Sequence, residues 1–326
     1  MEIYDLKKDE KITEPGFYRM SLDRHHHQPC DGPSVTSGVL RKMELRTPAD
    51  VWAFHDWNDD RWEQKETDAL KLGRAMASFI EGGPDMLAIE FAVLPEVSVR
   101  RPTAAQIDAY DAGEATAAGK KSVEFWRELE GMQTLTAAQY KTIENMGSVV
   151  RQDPAAMAVL GGEPEITMAY KDDETGLWVL ARPDNTSFDG VLADYKKINT
   201  QGRAFDHGVC DARTTQHGYD MQMGLAGHAF KTLTGNEPSA VGLVFQWDEP
   251  PHHVILREIS DSDLKIGQWR NQRALRRIRS ALDSGYWAGP GDDTGVYKRP
   301  DWQRDQIFKQ MAEDGLGQDE INAVIA

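Results

Sequence analysis

The stretch RPDNTSFDGVLADYKK, residues 182–197, decides the fold of this chain. Asp184 follows one β-type run, and Asp194 lies inside the next, two positions before Lys196. Because side chains alternate along a strand, Asp194 and Lys196 are expected on one face and Tyr195 on the other. An aspartate and a lysine on an otherwise apolar strand are costly to bury unless they pair or bind a metal. The stretch therefore predicts either a salt-bridged pair on a surface strand or a site that holds a cation.

The two aspartates and the lysine are residue types that suit phosphodiester hydrolysis. Neighbouring carboxylates repel each other, and a hard divalent cation such as Mg²⁺ relieves that repulsion while keeping water and phosphate ligands. Such a metal lowers the pKa of a bound water and stabilises charge on a phosphodiester. A lysine beside it can orient or deprotonate that water, or neutralise the transition state. The D-x-K triplet alone is common, however, and by itself favours the salt-bridged surface pair.

Several further β-type runs surround this stretch. The first two are joined by the turn-rich KDDETG, residues 171–176, and have the pattern of a hairpin. Strands followed by helices and by further strands predict an α/β fold with a mixed central sheet flanked by helices. The β-type runs are EPEITMAY (163–170), LWVLARP (177–183), GVLADYKKI (190–198), AVGLVFQWD (240–248) and HHVILREI (252–259), with helices expected at about 215–233 and from Ser260 to about Ser284.

The first half of the chain has a different, mainly helical pattern. Apolar residues at helical spacing in LKLGRAMASFIEG (70–82) predict a helix that Gly82-Gly83-Pro84 ends, and LAIEFAVLP (87–95) is expected to be a strand. We expect one structural domain with three parts. These are an N-terminal helical elaboration over residues 1–160, a core of sheet and helices over 161–300, and a helical tail over 301–326.

Composition and charge narrow the class of protein. The 326 residues carry a net charge of −16, which argues against a protein that coats nucleic acid by charge, but not against an enzyme with a local basic groove. Cys30 and Cys210 cannot form a four-thiolate cluster or a disulfide framework. The N-terminus has no apolar signal-peptide core, and no apolar run approaches the roughly 18 residues of a membrane span. These features predict a soluble, cytoplasmic protein without a membrane partner.

The order of motifs carries a family resemblance over most of the chain. EITMAYKDDETGLWVLARPD (165–184) is followed by GVLADYKK (190–197) and by HGYDMQMGLAGHAF (217–230), a helix with a glutamine. LKLGRAMASFIEG precedes them, after an opening with a Ser-rich segment at 33–43. This order of a glutamate, hairpin, RPD, D-x-K strand and glutamine helix resembles the PD-(D/E)XK nucleases. It resembles more closely the RecE-like exodeoxyribonucleases of phages and prophages.

The resemblance implies roles for the site residues. Lys196 would be the catalytic lysine, and Gln222 with Tyr219 would lie at the edge of the active site and touch DNA or the lysine. Glu165 would be an additional acidic ligand or a water-binding group. The cofactor would be Mg²⁺, with Mn²⁺ as a possible substitute. The implied metal ligands are Asp184, Asp194, Glu165 and the backbone carbonyl of Tyr195.

Two positions depart from the family pattern. Many relatives carry a metal-ligating histidine in the first motif, where this chain has Ala77, and a tyrosine after the glutamine, where it has Ala226. The site is therefore expected to hold one metal, or a second one weakly. The same departures motivate a rival hypothesis, in which an inactive or weakly active nuclease fold serves as a DNA- or protein-binding module.

Cationic side chains on two helices are candidates for DNA contact. Arg270, Arg273 and Arg277 share one helix face, and either grip the phosphate backbone or pair with an acidic surface, which is slightly favoured in so acidic a protein. Lys71 and Arg74 either line the DNA path or belong to a solvated face, and the two alternatives are evenly matched.

The function that these inferences predict is a magnesium-dependent DNA exonuclease. The resemblance implies digestion of double-stranded DNA from an end, 5′ to 3′, and delivery of the remaining strand to a single-strand annealing protein in phage-type recombination. It also implies a ring-like homo-oligomer in the cytoplasm of a bacterial host, encoded by a phage or prophage. Besides the binding module, an endonuclease of the same superfamily remains as an alternative.

Overall fold

A hairpin lies in the middle of one five-stranded sheet of the computed structural model, which describes residues 2–63, 67–96, 99–292 and 295–325. Its turn is closed by Asp172, whose carboxylate accepts hydrogen bonds from the backbone N–H and the hydroxyl of Thr175. N-terminal strands extend the sheet on both sides, so this part of the chain supplies strands as well as helices. The order is β1 (Ile3–Asp5), β2 (Gly16–Arg19), β7 (Thr167–Lys171), β8 (Trp178–Ala181) and β3 (Ser34–Thr36).

The strand with the D-x-K triplet lies at the centre of a second five-stranded sheet. This strand, β10 (Val191–Ile198), pairs in parallel with β11 (Ala240–Trp247) and antiparallel with β9 (Asn185–Thr186). The outer strands are β12 (Val254–Glu258), next to β11, and β6 (Glu163–Pro164), next to β9. The mixed sheets and the helices around them confirm the predicted α/β fold class.

Helices connect and cover the sheets. Those before the hairpin are α1 (Leu22–His26), α2 (Ser37–Leu45), α3 (Pro48–Trp52), α4 (Asp68–Glu90), α5 (Ala104–Asp111), α6 (Ala117–Glu128), α7 (Ala137–Gln152) and α8 (Pro154–Leu160). Two short strands, β4 (Phe91–Val93) and β5 (Gln133–Leu135), pair in parallel between them. The later helices are α9 (His207–His217), α10 (Tyr219–Thr234), α11 (Asp261–Ser284), α12 (Asp301–Glu313) and α13 (Gln318–Ile325).

Two glycines interrupt helices and correct the sequence prediction. Gly83 has a φ of 72° and ends the first part of α4 where Gly82-Gly83-Pro84 predicted an end. A second helical part then continues to Glu90, so the strand predicted over 87–95 is wrong except for β4; proline suits the first turn of such a restarted helix. Gly218, with a φ of 64°, likewise breaks the helix predicted at about 215–233: residues 215–217 are the end of α9, which begins at His207, and α10 begins at Tyr219.

Strand β10 lies between two apolar cores, as the alternation of its side chains requires. Leu192 and Ile198 pack with residues of α10 and α11. Tyr195 packs with residues of α4 and α7 on the other face of the strand. Asp194 and Lys196 therefore share the face that is turned toward α10, and Tyr195 lies on the opposite face, as the alternation in the sequence predicted.

Helices α10 and α11 meet at two glycines. A β-carbon at Gly224 of α10 would lie 2.7 Å from the carbonyl oxygen of Leu264, and one at Gly267 of α11 would collide with the backbone of Asp220. Asn271 reinforces the contact by donating a hydrogen bond of 2.8 Å to the carbonyl oxygen of Met221. The two backbones thus approach closely over residues 220–224 of α10, on both sides of the glutamine.

The chain divides into two compact units, Met1–Trp287 and Ala288–Ala326. The first contains both five-stranded sheets, and the second contains α12 and α13. None of the helices within the described ranges is long and apolar enough to cross a membrane.

Candidate active site

The site begins where β9 and β10 separate. The two strands pair at only two positions, Leu192 with Thr186 and Ala193 with Asn185. At the next position Asp184 turns its carboxylate toward β10, and Oδ2 accepts a hydrogen bond of 2.7 Å from the backbone N–H of Tyr195. The side chain thereby takes the place of a strand partner and comes to lie beside Asp194, ten residues later in the chain.

Asp194 is the centre of a polar network on the α10 side of β10. Its Oδ1 accepts a hydrogen bond of 2.7 Å from Nε2 of Gln222, and its Oδ2 forms an ion pair with Nζ of Lys196. The ring centroid of Tyr219 lies 4.6 Å from the same Nζ. The structure thus brings together Asp184, Asp194, Lys196, Gln222 and Tyr219, all of them predicted site residues.

Burial and mutual charge dominate the electrostatics of this network. Burial, and then the charge of Asp194, raise the pKa of Asp184 to about 8. Burial lowers the pKa of Lys196, but the charges of Asp194 and Asp184 outweigh it, so this pKa lies above its usual value. The ammonium group is therefore charged at neutral pH, while Asp184 is largely protonated there unless a cation neutralises the carboxylates.

A cavity of about 180 Å³ opens beside Asp184. We call it the acidic cavity, because the carboxylates of Glu81, Glu165 and Asp184 line it together with Tyr195 and apolar groups, and no lysine or arginine of the described residues does. Glu165 accepts a hydrogen bond of 2.6 Å from Nη2 of Arg182, which holds its carboxylate at the cavity wall. The predicted acidic group Glu165 therefore lies at the site, on its Asp184 side.

Comparison with known proteins supports the fold alone. The sequence matches no known protein family and no curated protein. The structure is similar to the crystal structure of a protein from Eubacterium rectale described as a "putative exonuclease", with 12% sequence identity and a TM-score of 0.55 over 88% of this chain and 98% of that one. The chain therefore has a nuclease-like α/β fold; at this identity the likeness does not extend to activity.

Glu81 is a residue of the candidate site that the sequence did not reveal. It lies on α4, one helical turn after Ala77, and both residues line the acidic cavity. Burial, and then the charges of Glu165 and Glu90, raise its pKa. The i, i+4 spacing from Ala77 was the available signal, since it places both side chains on one helix face. A carboxylate thus lies one helical turn after Ala77, the position where the family resemblance led us to expect a histidine.

Arg41 is a second residue that was missed. It lies on α2, donates a hydrogen bond of 3.1 Å to the carbonyl oxygen of His217, and sits 5.8 Å from the ring centroid of Tyr219. Burial lowers its pKa, and the nearby charge of Asp194 raises it in part. No spacing in the sequence connects residue 41 with the D-x-K strand, because only the packing of α2 against α10 brings them together.

The chemistry of the donor set fits a hard cation. Asp194 is buried and Asp184 is partly buried. Burial first, and then the charge of Asp194, raise the pKa of Asp184, and a divalent ion bound by both carboxylates would relieve their mutual repulsion. Within the described ranges, however, no three His, Cys, Asp or Glu side chains converge as a cation site. The predicted ligand set of Asp184, Asp194, Glu165 and the Tyr195 carbonyl therefore stays a prediction.

The two cationic helix faces differ in their surroundings. Arg270 and Arg273 both pair with Glu44, whose side chain is 4% exposed, and Arg277 donates a hydrogen bond of 2.7 Å to the carbonyl oxygen of Met43. These contacts tie α11 to α2 and favour the ion-paired alternative. Contact of this face with DNA remains a prediction without support from the geometry.

Lys71 and Arg74 lie on the first part of α4. Positions 71, 74, 77 and 81 follow one another at intervals of three or four residues, so Lys71 and Arg74 continue the helix face of Ala77 and Glu81, which line the acidic cavity. Lys71 pairs with Asp68 at 3.2 Å. Their helix face leads toward the candidate site, so a role in guiding DNA there remains a prediction with a structural rationale.

Proposed function

We propose that this protein is a metal-dependent deoxyribonuclease that hydrolyses phosphodiester bonds at Asp184, Asp194 and Lys196. One observation carries the proposal: Asp184 bonds to the Tyr195 N–H where β9 and β10 separate, beside an Asp194 that Lys196 and Gln222 contact. A salt-bridged surface pair explains neither the burial of Asp194, at 2% exposure, nor the second carboxylate next to it. Burying a carboxylate is costly unless it is paired or binds a metal, and the ion pair that Lys196 forms is with Asp194 rather than with this second carboxylate.

Each side chain has a distinct task in this proposal. Asp184 and Asp194, with the Tyr195 carbonyl, would hold Mg²⁺ or Mn²⁺, which when bound polarises the scissile phosphate and acidifies water. The charged Lys196 neutralises the charge that develops on the phosphate oxygens. Gln222 holds the Asp194 carboxylate in place through its hydrogen bond. Glu165 and Glu81 add negative charge that favours a cation in the acidic cavity.

Digestion from DNA ends is the finer part of the proposal. The RecE-like resemblance supports an exonuclease that degrades duplex DNA 5′ to 3′, a homo-oligomeric assembly, and a single-strand annealing protein as a partner in phage-type recombination. Strands labelled at the 5′ or 3′ end report the polarity through the order in which label is released. Light scattering of the purified chain reports the assembly.

The decisive experiment compares a linear duplex with a covalently closed circle, each incubated with Mg²⁺ or with EDTA. Loss of the linear form alone, and only with Mg²⁺, is the expected result. Cutting of both forms would show an endonuclease instead. Cutting in EDTA would overturn the metal requirement.

The binding module is a second candidate, favoured by one observation. Both oxygens of Asp194 are already engaged, by Gln222 and by Lys196, and Ala77 supplies no ligand at the cavity. Such a site binds a cation weakly, since the ion must compete with Lys196. Duplex binding without cleavage of either DNA form, at any Mg²⁺ or Mn²⁺ concentration up to several millimolar, would favour the module.

A further inference from the structure

A second cavity borders the C-terminal end of β10. It has a volume of about 240 Å³ and is lined by Lys197, Arg213, His217 and Tyr219, by neighbouring polar groups and by the buried Ile198. We call it the basic pocket, because two of its lining side chains are cationic and, within the described part of the chain, none is a carboxylate. A local excess of positive charge on so acidic a protein indicates a surface suited to an anion.

Two rings form one wall of this pocket. His217 ends α9 and Tyr219 begins α10, and their rings stack with centroids 5.4 Å apart and planes 26° apart. Gly218, in the left-handed conformation, makes the sharp turn between the two helices that brings the rings together. The His217 side chain is exposed, so one face of the stack is accessible to a flat ligand. Nucleobases stack on such faces with little sequence preference.

The pocket adjoins the catalytic lysine through Tyr219. The Tyr219 ring contacts Nζ of Lys196 and also lines the pocket. A ligand in the pocket therefore lies next to the ring that contacts Lys196, close to a phosphate held at the proposed site.

The two cationic side chains of the pocket are held in place by contacts with neighbouring residues. Arg213 donates hydrogen bonds of 3.0 Å to the carbonyl oxygen of Asn199 and 2.9 Å to the side chain of Gln216. Those bonds use two of its five N–H donors, and a guanidinium can direct the others to a phosphate. Lys197 lies 3.5 Å from Asp248, an ion pair that partly offsets its charge. Arg213 is therefore the stronger phosphate-binding group of the two.

We propose that the basic pocket binds the nucleotide that adjoins the scissile phosphate. Its base stacks on His217, and its phosphate contacts Arg213 and Lys197. This inference rests on the proposed nuclease function for its location, but it concerns binding and not hydrolysis. The rings and cations together indicate a single nucleic-acid strand, since stacked bases of an intact duplex do not offer a free face.

The test measures binding of a short 5′-phosphorylated oligothymidylate in Ca²⁺ over a series of salt concentrations. Arg213→Gln should weaken binding and make the log–log salt slope shallower by about 0.7, the value for one phosphate contact on a single strand. His217→Ala should weaken binding by roughly tenfold, within the range for one stacked base, and leave the slope unchanged. Arg203→Gln, an exposed arginine in the loop before α9, is the matched control and should bind like the wild type.

The outcomes separate this inference from the nuclease proposal. Wild-type affinity and slope in both pocket variants would overturn the pocket assignment, whether or not the protein cleaves DNA. If the wild-type protein cleaves no DNA but both variants bind the oligonucleotide more weakly, the pocket assignment is supported and the nuclease proposal fails. No binding of the oligonucleotide by the wild type would overturn the pocket. Unchanged melting temperatures, and the two different slope responses, exclude a general loss of structure as the cause.

Discussion

The acidic cavity and the basic pocket border the same strand but are opposite in charge. Among the described residues, three carboxylates and no lysine or arginine line the first, whereas two cations, two rings and no carboxylate line the second. The α4 side supplies Glu81 to the cavity, and α9 and α10 supply the side chains of the pocket. We propose a division of tasks along β10, with hydrolysis at Asp184 and the D-x-K triplet and strand binding just beyond the triplet, at Lys197.

The largest effect should follow from neutralising an aspartate at the acidic end. Asp184→Asn or Asp194→Asn should abolish hydrolysis, because each removes an anionic ligand for the cation, while the amide oxygen introduced by Asp184→Asn can still accept the Tyr195 N–H. Cleavage of an end-labelled duplex measures the loss. Asp173→Asn, in the exposed turn after β7, is the control and should retain full activity. Wild-type turnover in either site variant would remove these residues from the catalytic site.

Loss of the lysine should have the next largest effect. Lys196→Ala should lower turnover by about 100-fold or more, as expected for one electrostatic donor to the transition state. Its affinity for duplex DNA in Ca²⁺ should change little, since one lysine is a small part of the phosphate contacts. Lys141→Ala, with its exposed ion pair to Glu144, controls for a general effect of charge. A variant that binds duplex DNA poorly yet cleaves it normally at saturating DNA concentrations would show that Lys196 is a binding residue. That result would contradict the proposed division of tasks.

Glu81 tests whether the far wall of the acidic cavity takes part. Glu81→Gln should raise the Mg²⁺ concentration needed for half-maximal rate by about tenfold, a typical effect of a residue beside the ligands. Turnover at saturating Mg²⁺ should fall less. The measurement is a Mg²⁺ titration of the cleavage rate, with Glu128→Gln on the exposed side of α6 as the control. Identical Mg²⁺ titrations for wild type and Glu81→Gln would show that Glu81 does not contribute to cation binding, which would leave the aspartates as the ligands.

Stability against pH gives a smaller effect that needs no activity. The pKa of Asp184 is about 8 in the folded protein and 3.8 as its ordinary value, so its carboxyl group favours the folded state most below pH 4. That contribution is lost as pH rises toward 8, because the unfolded chain then ionises more readily. In EDTA, the melting temperature of Asp184→Asn relative to wild type should therefore increase between pH 5 and pH 8. A constant difference between the two proteins would mean that Asp184 ionises normally.

The smallest expected effect concerns the arginines of α11. Arg273→Gln combined with Arg277→Gln should leave the salt dependence of duplex binding unchanged, because Glu44 and the Met43 carbonyl already engage these side chains. Duplex affinity in Ca²⁺ over a salt series measures the slope, and thermal unfolding should show a slightly less stable protein. A slope shallower by about 2 would show that both arginines contact phosphate. The strand would then be bound well outside the basic pocket.

The sequence predicted the central part of the site because that part is local. Asp184, Asp194 and Lys196 lie within 13 consecutive residues, and the alternation of a strand is enough to orient them. Gln222 was found only through the family resemblance. Glu81 and Arg41 were missed because their proximity depends on how α4 and α2 pack, which no spacing in the chain records.

The fold, like the site, was predicted from the sequence only in part. Strand β10 was predicted nearly to its ends, since a β-type run of eight residues is long enough to be recognised. Strands β1 and β3 have three residues each and no detectable period, so they were not anticipated. The division at Gly218 was also missed, because a glycine within a helical pattern is often tolerated and only its left-handed conformation makes the break.

The glycine contact between α10 and α11 has a consequence for recognising distant relatives. Gly224 lies two positions after Gln222, and its counterpart Gly267 lies on the next long helix, so a larger residue at either position would push α10 outward and carry the glutamine away from Asp194. Evolutionary drift should thus be slow at these two positions even though neither touches the site. A search pattern can require, in this order, the D-x-K strand, the glutamine, and a small residue at the positions of Gly224 and Gly267. Such a pattern should separate true homologues from chains that share the triplet by chance.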